Sequence, residues 1–99
     1  MVADKEVTAL TADEEVSLEV DVRVGQSIEG APTLYFLRDE NLEREIELSE
    51  EMAWVAGLMR ELQRGSRRVA GLVGVLGVPE EELQETLTYF MRLGLLQRK

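Results

Sequence analysis

Two clusters of charge are the first places to look for chemistry in this chain. Glu80, Glu81, Glu82 and Glu85 form the densest group of carboxylates, and Arg60, Arg64, Arg67 and Arg68 the densest group of cations. A carboxylate pair can act as general acid and base, or hold a divalent cation. These four glutamates, however, open a predicted helix, where negative charge complements the free N–H groups of the first turn. Their spacing also lacks the Asp-x-Asp-x-Asp-Gly pattern of a calcium loop. The arginines suit a phosphate or an acidic peptide, or they pair with nearby glutamates and with a helix C-terminus. Arg67 and Arg68 fit the second account poorly, because they open a predicted helix whose dipole repels cations there.

The chain has no cysteine and no histidine, so thiolate nucleophiles, disulfides and His-based metal sites are excluded. No Gly-x-Gly-x-x-Gly, Walker loop or nucleophile elbow occurs. The expectation is a protein that is not an enzyme, with no catalytic residue, no metal and no cofactor. The formal charge is −9, from 20 acidic and 11 basic residues. Nucleic acid binding rests largely on Lys and Arg neutralising phosphates, so a protein or peptide is the expected partner and nucleic acid is not. No apolar run approaches the roughly 20 residues of a membrane helix, and "MVADKEVTALTADEE" lacks the layout of a signal peptide. The expected location is the cytoplasm, with no membrane partner.

The elements that would position these residues follow from periodicity. At 99 residues the chain supports one domain with one core. Residues 1–15 read as a flexible acidic arm, with a short strand near 7–10, and residues 16–99 as the folded domain. In "VSLEVDVRV" (16–24), Val16, Leu18, Val20, Val22 and Val24 alternate with polar residues, as in a strand with one buried face. "GQSIEGAP" (25–32) reads as a loop, 33–39 as a second strand, "ENLE" as a turn and 44–49 as a third strand. From Ser49 the period changes to helical. Ser49 is the expected N-cap of a first helix ending at Gly65, Ser66 that of a second ending at Gly77, and Pro79 begins a third ending at Gly94. Met52, Val55, Met59 and Leu62 form the stripe of the first, and Leu83, Leu87, Phe90 and Met91 that of the third. Trp54, Tyr35 and Phe36 read as core. Tyr89 faces away from its helix's stripe, which suits a groove better than a core. The expected fold class is α+β: a three-stranded antiparallel sheet followed by three helices, a winged helix-turn-helix.

The stretch "APTLYFLRDENLEREIELSEEMAWVAGLMREL…VAGLVGVLGVPEEELQETLTYFMRLGLL" resembles the PqqD-like family. These are the recognition elements that bind leader peptides in ribosomal peptide natural-product biosynthesis. The likeness covers residues 18–96 and lies in element order and apolar positions. It implies that the leader adds as an extra strand beside the hairpin, in the cleft between the third strand and the third helix. Backbone hydrogen bonds then supply affinity and pockets supply register. Carried onto this chain, the strand edge is Arg44, Glu45, Ile46 and Glu47. The helix wall is drawn from Gln84, Leu87, Thr88, Met91 and Arg92, with Tyr89 beside them. The resemblance implies a domain that delivers a precursor peptide to a separate modifying enzyme by raising its effective concentration. Two other readings stay in view: a winged-helix DNA-binding regulator, favoured by the arginines and opposed by Glu80–Glu82, and a structural interaction subunit. A homodimer is a further option, since an edge strand that accepts a peptide can also accept its twin.

Overall fold

The computed structural model describes residues 10–99. Over these residues the chain folds as α+β, with two three-stranded antiparallel sheets and three α-helices. The order is β1 (Glu15–Leu18), β2 (Asp21–Gln26), β3 (Pro32–Arg38), β4 (Asn41–Glu47), α1 (Trp54–Gln63), β5 (Arg67–Arg68), α2 (Val69–Leu76), α3 (Glu80–Arg92) and β6 (Leu96–Arg98).

The alternating run at 16–24 is two strands rather than one. At Glu19 and Val20 the backbone bends, Glu19 N–H donates to the Leu95 carbonyl (2.9 Å), and the chain changes partners. β1 lies between β5 and β6, whereas β2 pairs with β3. The side-chain alternation survives the bend: Val16, Val20 and Val22 are all buried. Both halves therefore serve one core while their hydrogen bonds go to different sheets, as strands do where they turn a corner.

β2, β3 and β4 form the larger sheet in chain order. Its inner face carries Val22, Leu34 and Phe36, all buried, against α1, whose Val55, Leu58, Met59 and Leu62 recur at helical spacing and are buried. The β3–β4 turn is Asp39–Glu40, not the "ENLE" segment, and β4 starts at Asn41. Both turn residues have positive φ, 52° and 67°, as a two-residue hairpin turn requires. Neither is glycine, which is why the sequence signal was missed. β4 has no strand on its outer side among the described residues.

Ser49 does not cap α1. Its side chain makes no cap hydrogen bond, and a tight 3-10 turn over Glu50–Met52 comes before the helix. Ser66 likewise does not cap α2: Arg67 and Arg68 are β5, paired with Val16 and Glu15 of β1, and α2 begins at Val69. The dipole conflict inferred for these arginines is therefore limited to Arg68, which holds the N-cap position of α2 and lies 3.8 Å from the Glu15 carboxylate. The chain end "LLQRK" contributes β6, which closes the small sheet on β1.

Residues 10–15 are not loose. Leu10 is buried, and the Ala12 and Glu14 carbonyls accept N–H bonds from Ala70 and Val69, 3.0 Å each. The expected strand near 7–10 falls, but for Leu10, outside the described residues.

Two outcomes follow. Leu10→Ala should lower unfolding free energy by about 2–5 kcal/mol in urea titration, as for other buried leucines. Glu40→Gly should relieve a left-handed backbone that disfavours side chains by about 1–2 kcal/mol and raise Tm by roughly 4–8 °C per kcal/mol recovered.

Candidate functional site

α3 buries Leu83, Thr86, Leu87, Phe90 and Met91. An apolar stripe of that width has two flanks, and they meet different surroundings. On one flank the amide of Gln84 donates to the Leu10 carbonyl at 2.6 Å, so the chain's own segment at Leu10 covers that side. On the other flank, Glu85, Thr86, Tyr89 and Phe90 face the end of β4 across an open groove of about 340 Å³. The opposite wall is Ile46, Glu47, Leu48 and Ser49, continued by Met52 of the 3-10 turn.

The floor of this groove is apolar. Leu48, Thr86 and Phe90 are buried, Ile46 and Met52 are half-buried, and Tyr89 is 53% exposed on the rim. The aromatic rings form a continuous series: Phe36 of β3 lies 5.9 Å from Phe90, and Phe90 lies 5.5 Å from Tyr89 in an edge-to-face arrangement. Such pairs stabilise by about 0.5–1.5 kcal/mol beyond their area burial, so the rim residue is seated on the core. Among the described residues, Glu47 and Glu85 are the only charged ones lining the groove.

Of the residues inferred from sequence, Ile46 and Glu47 line the groove, and Tyr89 joins them. Arg44 and Glu45 stand further along the same exposed edge strand, outside the lining. Leu87 and Met91 are core residues, Gln84 is engaged with Leu10, and Thr88 and Arg92 lie off the groove. Leu48, Ser49, Met52, Glu85, Thr86 and Phe90 were missed. The strongest apolar stripe of a helix is the part that must be buried; the groove takes its flank. The available signal was Tyr89, off the stripe, with Glu85 one turn before it.

The arginine cluster is shared among carboxylates. Arg64 and Arg67 each lie 3.8 Å from Glu61, and Arg68 lies 3.8 Å from Glu15. A second, polar recess of about 600 Å³ lies between the β1–β2 bend, the start of the β3–β4 turn and the end of α1. Arg38 beside it donates to Glu43 at 2.8 Å, and this hydrogen bond holds the guanidinium pKa above its ordinary value. No group of three or more acidic side chains converges as a metal site would require, among the described residues.

Gln84→Ala should cost about 1–3 kcal/mol in thermal unfolding by leaving the Leu10 carbonyl unpaired. It should leave the amide resonances of Ile46 and Tyr89 in place, because it acts on the covered flank.

Comparison of the chain with protein-family models, with curated proteins and with solved structures finds no match in any of the three.

Proposed function

We propose that this chain is a non-catalytic peptide-recognition domain of the PqqD-like kind, with a winged helix-turn-helix layout. It binds the leader of a ribosomally made precursor as a fourth strand on β4 and delivers it to a separate modifying enzyme in the cytoplasm. The observation that carries this reading is the continuity of two features. β4 is the open edge of its sheet among the described residues, and the apolar groove begins where that strand ends, between Ile46 and Phe90. An extended peptide laid along β4 would form main-chain hydrogen bonds with the edge and drop alternate side chains toward the groove. Its volume falls in the range of about 300–1,000 Å³ typical of ligand sites.

The winged-helix DNA-reading alternative has less support. Glu80, Glu81 and Glu82 are exposed at the start of α3, where a recognition helix meets bases and phosphates. Three of the four clustered arginines already lie beside carboxylates. No helix among the described residues is long and apolar enough to cross a membrane.

The test is NMR titration of labelled protein with the leader of a precursor encoded in the same gene neighbourhood, and separately with a mixed DNA duplex. Saturable shifts at 44–48 and 85–90 with peptide alone support strand addition. Tyr89→Ala, at a half-exposed rim position, should then weaken the peptide about tenfold, or ~1.4 kcal/mol, while loss of its ring contact with Phe90 lowers Tm by only several degrees and leaves the domain folded. Salt-dependent shifts with DNA at 60–68 would overturn the reading.

A further inference from the structure

The groove's two charged lining residues are both carboxylates, and they stand on opposite walls. Glu47 is on the strand side and Glu85 on the helix side, and no lining residue among those described is basic. Neither forms an ion pair with any described residue. Glu45, Glu50 and Glu51, which flank the groove along the chain, are exposed and equally unpaired among the described residues. A strand added to β4 would displace water from Glu45 and Glu47, its cross-strand neighbours. A carboxylate that loses water without gaining a cation or donors is strongly disfavoured.

From this we propose that the segment taken by the groove is an apolar peptide strand carrying lysine or arginine at alternate positions. The inference rests on strand addition to β4, and it specifies the chemistry of the added strand. Register gives the pattern. Ile46 pairs across the sheet with buried Leu34, so its side chain is on the inner, groove-side face, and Glu45 and Glu47 fall on the other face. A new strand beside β4 places its own residues on the same faces as their cross-strand neighbours. It therefore presents an aliphatic or aromatic side chain beside Ile46 and cations beside Glu45 and Glu47. Arg44 shares the face of Ile46 two residues earlier, which fixes a polar or acidic residue at that end of the peptide. The net charge of −9 draws a basic segment to the domain at long range.

Two degenerate decapeptide libraries test this, using Val, Leu, Ile and Phe at alternate positions and either Lys or Glu between them. A Lys/Ser library without apolar positions is the control for non-specific attraction. The expected result is saturable amide shifts at 45–48 and 85–90 with the Lys library alone, weakening several-fold between low and high salt. The Glu45→Gln/Glu47→Gln double variant, with both changes on the exposed face of β4, should lower that affinity by about fivefold, as for two exposed ion pairs. Equal or tighter binding of the Glu library at the same amides would overturn the charge inference and leave strand addition standing. Silence of those amides with every library would overturn both. Equal shifts from the Lys/Ser control, or no effect of the double variant, would reduce the attraction to bulk charge and sink the proposal.

Discussion

The contact between Phe36 and Phe90 is the joint on which the arrangement turns. Phe36 sits fully buried on the inner face of β3, and Phe90 is buried on α3, with ring centroids 5.9 Å apart. This ring pair links the larger sheet to the last helix. It sets how far α3 stands from the sheet and how the helix is rotated about its axis. With Phe90 pinned, Tyr89 must emerge beside β4 and Gln84 must face the opposite side. The groove thus follows from packing geometry: it is the gap left where a helix anchored on β3 stands beside the end of the edge strand. Losing the Phe90 ring would cost about 3–5 kcal/mol as a core truncation and would remove the floor of the groove.

The small sheet performs the complementary task of closing the domain. β1 lies between β5, drawn from the α1–α2 connection, and β6, which follows α3. Lys99 N–H reaches the Glu15 carbonyl at 3.1 Å, and Arg98 lies within ion-pair distance of Glu14. Three widely separated parts of the sequence are thereby held at one place. This leaves the β2–β3–β4 sheet free to end in an open edge without the domain coming apart around it.

Much of this was legible in the sequence, for reasons tied to how local each signal is. The alternation from Val16 to Val24 and the stripes of α1 and α3 are properties of a single segment facing a core, and they read correctly as element type. The bend at Glu19–Val20 was invisible because a change of sheet keeps the alternation intact. β5 and β6 span two and three residues; such strands exist only through partners far away in the chain, so no local pattern announces them. The two-residue turn at Asp39–Glu40 lacks the glycine that normally marks it. The groove was legible to strand and helix but not to the correct flank of α3. Only the three-dimensional position of Leu10, covering Gln84, decides which flank is left open.

The open edge of β4 has a further consequence, for self-association. An unpaired strand is a template for other strands, and proteins tolerate one when its charges make the wrong pairing unfavourable. β4 carries Glu43, Arg44, Glu45 and Glu47, all exposed. Bring a second copy against it antiparallel, centred on Glu45, and Glu45 meets Glu45 while Glu43 meets Glu47. Centred on Ile46, Glu45 meets Glu47. Like charges directly opposite one another are destabilising. The edge thus discourages the lateral stacking that leads to fibrils in those registers, and does so without a bulge over Arg44–Glu47 or a covering helix among the described residues.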